Sequence, residues 1–488
     1  TGTPTNLTSR KIYSGGLDSK GKDTFTLRLW LNPAVNGDIG GQVFKAKLRI
    51  EVNQQIPTPV ADKLLAGVGI NGTIDTTDPE QTFITGTDPN NYIWYSGKLW
   101  RAVSIDPSDN SVKLVTQWNI SAFPYNASGN TAFQGSYMEQ WLNDTSVDGF
   151  LGNLREPDKF IKTDSVWNAT LTTATTKPEK TTMITDAVGL LNIYEYTMSY
   201  KNASSSTGYL NNSLYWWTLT PYSTTNVRGV NGNGNGSDNS SLYSFGSRPS
   251  INLKSAVKII DGDGTVDNPY RLQGDNDSPT GALLSTRYSG EYISFGTGEN
   301  NLYRIVSHEN GTGTKITSAI PLKDSGSYKK LIFGSNVTFS KDNTIGAFLN
   351  GDYLTSGTYL TSDQVNMIED NTTWYLGTVG SGTNYKLAKY QDATSSSLTT
   401  STTTAQIGLL RLGELMAGQF DEYGNNTDYW TLTPLDASNV RYVNSSGYSY
   451  YDSPTYSYGS RPSMNLKSTV KIVSGTGIKS DPFVISNW

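Results

Sequence analysis

The chain contains one long segment twice, so any fold it adopts must accommodate that segment in two copies. Trp217-Thr218-Leu219-Thr220-Pro221 returns as Trp430-Thr431-Leu432-Thr433-Pro434. At the same constant offset Asn226-Val227-Arg228 returns as Asn439-Val440-Arg441, and Gly246-Ser247-Arg248-Pro249-Ser250 as Gly459-Ser460-Arg461-Pro462-Ser463. The match runs without a gap from Trp217 to Leu272. Upstream it loosens but keeps its order: Leu99-Trp100-Arg101 with Leu302-Tyr303-Arg304, Trp141-Leu142-Asn143 with Phe348-Leu349-Asn350, and Val188-Gly189-Leu190-Leu191 with Ile407-Gly408-Leu409-Leu410. Glu195 and Glu414 follow in each copy. A unit of about 200 residues is too long for a solenoid repeat and suits a self-contained domain. The expected domains are therefore 57–273 and 281–488, with a turn-rich linker at 275–281.

Residues 1–56 form a third piece. Thr24-Phe25-Thr26-Leu27-Arg28-Leu29-Trp30 alternates in polarity, as does Val43-Phe44-Lys45-Ala46-Lys47-Leu48-Arg49-Ile50-Glu51-Val52, and both fit period-2 strands. Two strands do not make a stable domain. They must pack on the rest of the chain, pair with another molecule, or end a larger domain.

Composition narrows the chemistry. There is no cysteine, which excludes thiol nucleophiles, Cys-ligated metal and disulfides, and a single histidine, His308. A His-rich metal site is excluded, and a Ser/His/Asp triad would rest on that residue alone. His308 itself reads as a solvated turn residue. A net charge of −5, with no clustered Lys/Arg, gives no footprint for nucleic acid. No apolar run reaches the length of a membrane-spanning helix. The sequence thus predicts no enzyme, no catalytic residue, no metal and no cofactor. The Tyr-, Thr-, Asn- and Gly-rich composition suits an extracellular or cell-surface protein, and its Asn-X-Ser/Thr triplets, Asn126 and Asn336 among them, permit glycosylation.

Strands are expected at 92–95, 99–105 and 112–117 and again at 292–295 and 302–307, with a helix over 136–143. The run 188–196 reads as a strand leading into a short helix, and 197–213 and 391–404 as loops. Few helices and short strands point to an α+β fold with mostly antiparallel sheets. Trp217 and Trp430 are expected core anchors, each able to bury ~200 Å². Arg248 and Arg461, each held extended before a proline, read as partly buried cations needing an anion, with Glu195 and Glu414 as the expected partners. A ligand-carboxylate clamp is the alternative. Asp261, Asp263 and Asp267 offer either a calcium loop or, as the better fit, a polar hairpin turn.

Between the Trp and Arg-Pro segments the copies diverge. Copy one has Asn231-Gly232-Asn233-Gly234-Asn235-Gly236, whereas copy two has Tyr442, Tyr448, Tyr450, Tyr451 and Tyr456. A changing loop on a constant framework suits a recognition surface, and tyrosines supply amphipathic contact area at low entropic cost. These five are the candidate ligand-binding residues, the other reading being a strand face packed on a neighbouring domain.

The order of motifs, from Tyr92-Ile93-Trp94-Tyr95 and Leu99-Trp100-Arg101 through Trp141-Leu142-Asn143 to Trp-Thr-Leu-Thr-Pro and Gly-Ser-Arg-Pro-Ser, resembles C-type-lectin-like domains of bacterial surface proteins. Those domains are distantly similar to the formylglycine-generating enzyme fold. The resemblance implies two tandem domains with a loop-rich binding face. It carries neither the enzyme branch's chemistry, which works through cysteine and metal, nor the calcium-dependent sugar motif of animal lectins. Residues 10–52 resemble the closing strands of camelysin-like secreted fibre proteins, some of which polymerise by lending a strand. The expectation is a non-enzymatic structural or adhesive protein that self-associates into a filament or sheath. A monomeric adhesin for a glycan or surface protein is the alternative, and a carbohydrate-active enzyme the least favoured reading.

Overall fold

The computed structural model describes residues 56–126, 128–146, 149–274, 279–308, 313–378, 402–415, 427–445 and 449–487. The expected N-terminal strands, most of the expected linker, most of the 391–404 loop and Tyr448 lie outside the described residues.

The first half opens on β1 (Thr58–Pro59), α1 (Val60–Leu65) and a hairpin of β2 (Gly72–Asp75) with β3 (Thr82–Gly86). Then come β4 (Tyr92–Tyr95), β5 (Lys98–Ile105), β6 (Val112–Thr116), β7 (Ser121–Pro124), α2 (Tyr137–Asn143) and α3 (Pro157–Phe160). Next are β8 (Ser165–Asn168), β9 (Met183–Asp186), β10 (Val188–Gly189) and α4 (Ile193–Met198). The half closes with β11 (Trp216–Pro221), β12 (Asn226–Val230), β13 (Gly236–Ser240), β14 (Ser244–Ser247), β15 (Ser250–Leu253), β16 (Lys258–Asp261) and β17 (Tyr270–Leu272).

The second half runs through β18 (Tyr292–Ser294), β19 (Leu302–His308), β20 (Thr314–Ser318) and the short β21 (Lys323–Asp324), β22 (Ser327–Tyr328) and β23 (Leu331–Ile332). Helices α5 (Thr344–Asn350), α6 (Asp352–Thr355) and α7 (Ser362–Met367) lead to β24 (Thr372–Tyr375), β25 (Thr402–Ala405), β26 (Ile407–Gly408) and α8 (Leu412–Leu415). It ends with β27 (Tyr429–Pro434), β28 (Val440–Val443), β29 (Ser449–Asp452), β30 (Ser457–Tyr458), β31 (Ser463–Leu466), β32 (Lys471–Ser474) and β33 (Phe483–Ser486).

The described chain is mostly β with few, short helices, compatible with an α+β or mainly β class. Its repeat carries through to the pairing. The main sheet of the first half has the order β1-β16-β17-β4-β5-β6-β15-β10, and that of the second half, read the same way, β32-β33-β18-β19-β20-β31-β26. Each contains one parallel pair, β17 with β4 and β33 with β18. The central strand slips register at the same place in both, between Ala102 and Ser104 and between Ile305 and Ser307. The difference is on one edge: in the first half β3 pairs with the end of β5 and carries β2, whereas no strand described in the second half takes that place.

Local chemistry explains the shared elements. Ser136 caps α2 by accepting from the Glu139 amide, and Asn192 and Glu195 form a reciprocal capping box at α4. Asn143, at the end of α2, both accepts from the Val188 amide and donates to the Val188 carbonyl; Asn350 does the same for Ile407. Gly189 and Gly408 lie against the rings of Trp167 and Trp374, and an added Cβ would stand 2.5 and 2.6 Å from them. The ring needs a backbone without a side chain there.

Trp217 and Trp430 occupy matching surroundings. The indole N–H of Trp217 donates to the Phe123 carbonyl on β7, and that of Trp430 to the Leu331 carbonyl on β23. Phe245 lies 4.8 Å from the first ring and Tyr458 4.8 Å from the second. The halves touch through Trp94 and Tyr292, with ring centroids 6.0 Å apart, and through Arg304, which donates to the Gly97 carbonyl.

Candidate functional site

The polar residues held in common by the two halves converge on one position beneath the central sheet. Lys113 on β6 and Lys315 on β20 each pair with the glutamate of the following short helix, Glu195 and Glu414. Each ammonium also faces an indole, Trp167 at 4.8 Å and Trp374 at 5.1 Å. The second carboxylate oxygen accepts the N-terminal amide of its helix, from Asn192 and from Arg411. Thr220 and Thr433 accept the next amide, from Ile193 and Leu412. The apparatus ties a helix end to two strands.

The halves differ in the rim. In the first, Gln81, just before β3, donates to Glu195 and accepts from Ser104. A polar groove of about 290 Å³ opens there, lined by Gln81, Lys113, Lys162, Lys177, Lys180 and Glu195 among others. Its outer cations are already matched: Lys162 with Asp109, Lys177 with Asp78 and Glu80, and Lys180 with Glu80. In the second half Arg411 takes the place of Asn192, and Lys315, Arg411 and Glu414 are all at most 1 % exposed. Burial alone would raise the Glu414 carboxyl, but Arg411 and Lys315 beside it hold it below the ordinary carboxylate range.

Arg248 and Arg461 do not pair with Glu195 and Glu414. Arg248 donates to the carbonyls of Thr116 and Leu210 and stacks on Trp216, 4.7 Å from the ring. Arg461 donates to the carbonyls of Ser318 and Ala319 and to the Tyr429 hydroxyl. Buried backbone carbonyls need donors, and a planar guanidinium reaches several at once. The anions expected for these arginines belong to lysines that sequence reading had not singled out. Lys113 in Val112-Lys113-Leu114 and Lys315 in Thr314-Lys315-Ile316 were legible only as lysines recurring inside two otherwise buried strands.

The tyrosine set divides. Tyr442 on β28 is buried, with Tyr458 at 4.4 Å and Tyr450, its cross-strand partner, at 6.1 Å. It extends the aromatic packing around Trp430 and is an inward anchor, not a contact residue. Tyr451 pairs across the strand with Arg441, so successive residues Tyr450 and Tyr451 point to opposite faces. Tyr450, Tyr451 and Tyr456 are about half exposed. The first half answers with a different edge, in which Leu242 and Tyr243 are exposed beside Phe245.

His308 is not a solvated turn residue. It ends β19, where its two ring nitrogens contact the Thr314 hydroxyl at 3.0 Å and the Arg287 carbonyl at 2.5 Å. Asp261 pairs with Arg271, and Asp263 accepts from Thr265 in the turn joining β16 to β17. Among the described residues no group of three or more metal-ligating side chains is placed to hold an ion. No helix among them is long and apolar enough to cross a membrane.

A family described as Domain of unknown function (DUF6273) matches residues 109–255. The matched stretch runs from the turn before β6 to just past β15, and so includes Lys113, Trp167, Glu195, Trp217 and Arg248. No curated protein and no solved structure matches the chain.

Proposed function

We propose that this chain is a non-enzymatic extracellular structural or adhesive protein, a subunit of a surface filament or sheath joined by β-strand complementation. In this reading its two halves are tandem C-type-lectin-like domains, 57–273 and 281–488, behind an N-terminal β segment. The observation that supports it is how the polar groups are used. The buried Lys–Glu pairs, the Arg–carbonyl clusters and the Asn bridges of both halves tie strands and helices to one another. What remains unassigned is a pair of period-2 stretches at the N-terminus, and a strand pair completes a sheet more readily than it stands alone. Negative-stain microscopy of the purified full chain and of a variant lacking residues 1–52 tests it. Polymers from the first and dispersed particles from the second are expected; assembly that survives the deletion would refute it.

A second reading, a monomeric adhesin, is favoured by the half-exposed Tyr450, Tyr451 and Tyr456. It predicts that a glycan or surface-protein array bound by the intact chain loses its signal in Tyr450→Ser/Tyr456→Ser.

A further inference from the structure

The Lys–Glu pair is reached from outside in the first half and sealed in the second. Side-chain exposure is 12 % for Lys113 and 2 % for Glu195, against 1 % and 0 % for Lys315 and Glu414. Two asparagines line the groove over the first pair. Asn192 is 6 % exposed; its Oδ1 accepts from the Glu195 amide, and its Nδ2 has no hydrogen-bond partner among the described residues. Asn252 stands opposite Lys113 across β15 and β6, is half-buried, and makes no side-chain hydrogen bond among them either. Their counterparts in the second half, Arg411 and Asn465, are both 1 % exposed.

The walls say what such a site takes. Each lysine of the groove already has a carboxylate against it, so a net charge on a ligand meets repulsion as well as attraction. The amides of the α4 end take no part, being held by Glu195 and Thr220. What is left is a set of unpaired amide groups above an ammonium and a carboxylate. An uncharged hydroxyl, which both donates and accepts, meets all of them. One side of the groove is apolar: Val166 on β8 and Met183 on β9 share the outer face of their hairpin and are 57 % and 41 % exposed. The volume, about 290 Å³, sits at the small end of ligand pockets.

We propose that this groove binds a neutral sugar residue. The Asn192 and Asn252 amides take its hydroxyls, with Lys113 and Glu195 at the floor, and its C–H face lies on Val166 and Met183. A buried amide donor left unpaired is costly, and a ligand hydroxyl removes that cost. The second half has given the site up: Arg411 fills the place of Asn192 and the pair beneath is closed off. The groove lies apart from Tyr450, Tyr451 and Tyr456 and needs no strand exchange, so it stands or falls independently of both readings above.

Saturation-transfer NMR on the full chain tests it. The probes are the methyl glycosides of glucose, galactose and mannose and N-acetylglucosamine, with glucuronate and glucosamine as charged controls, all at millimolar concentration. Transfer to at least one neutral sugar, exceeding that to both charged ones, is the expected result. Asn192→Arg, which installs the residue of the second half, and Asn252→Leu, which breaks no hydrogen bond of the fold, should each weaken binding about tenfold or more. Should Asn192→Arg misfold, Asn252→Leu decides. Transfer unchanged in Asn252→Leu with native circular dichroism overturns the site. Loss in Tyr450→Ser/Tyr456→Ser but not in Asn252→Leu moves the sugar to the other half and also overturns it. No transfer to any neutral sugar, or transfer to a charged one alone, overturns the ligand class.

Discussion

Removing Arg461 separates two accounts of what this buried cation does. Its guanidinium donates to the carbonyls of Ser318 and Ala319 and to the Tyr429 hydroxyl, at 2.9, 3.0 and 3.3 Å. Arg461→Ala leaves two buried carbonyls without that donor, at about 1–3 kcal/mol each. Removing a desolvated charge returns part of this, so a net loss of about 3 kcal/mol is expected. For a cooperative unit of some 200 residues this is a fall in Tm of roughly 6–12 °C, measurable by calorimetry. Arg461→Lys should recover little, because one ammonium cannot span carbonyls that a planar fork reaches together. The decisive measurement is a double-mutant cycle with Glu414→Gln. Arg461 and Glu414 share no hydrogen bond or ion pair among the described contacts, so the two losses should add within about 0.5 kcal/mol. A coupling of 1 kcal/mol or more would restore the Arg–Glu ion pair that the sequence suggested and refute the carbonyl-cluster account. An unchanged Tm in Arg461→Ala would refute both.

Other expectations follow from the same geometry. Lys315→Met should cost about 1–3 kcal/mol by urea denaturation, since it removes the nearer partner of the buried Glu414 while Arg411 stays 3.7 Å away, and Glu414→Leu should cost more, because it leaves two buried cations without their anion. Lys113→Met should cost less than Lys315→Met, because Gln81 still donates to Glu195. Tyr442→Ser should lose about 3 kcal/mol through the cavity left beside Trp430, whereas Tyr450→Ser or Tyr456→Ser should stay within about 0.5 kcal/mol in thermal melts. Burial, with the Glu139 carboxylate nearby, pushes the Asp186 carboxyl up to about 6 from 3.8. Between those values the folded chain binds more protons than the unfolded, so stability falls as pH rises through that window and the cost is complete above it. Asp186→Asn should therefore gain about 1 kcal/mol at pH 7.5, after allowance for solvent screening, and nothing near pH 4. An equal gain at both values would contradict it.

Much of the framework was legible in the residues themselves. The strands 92–95, 99–105 and 112–117 appear where alternation and apolar density put them, and the helix expected at 136–143 begins one residue later because Ser136 serves as its cap. Trp217 and Trp430 are buried, as large apolar rings within short β runs should be. The register of the repeat announced that two halves would share strand order, since identical local patterns dictate identical pairings.

Partner choice was not legible. Propensity and periodicity are properties of neighbours in sequence, whereas Lys113 meets Glu195, and Arg461 meets Ser318, only after strands distant along the chain have been brought together. The same holds for the tyrosines: a run rich in one residue type gives no hint of which ring turns inward, and strand pairing alone sent Tyr442 toward Trp430 and Tyr451 to the opposite face. The sequence by itself determined that one scaffold is used twice, because local pattern and burial demand are repeated. Only the tertiary structure decided which charges neutralise one another and which rings turn inward, because those depend on through-space distances that no order of residues encodes directly.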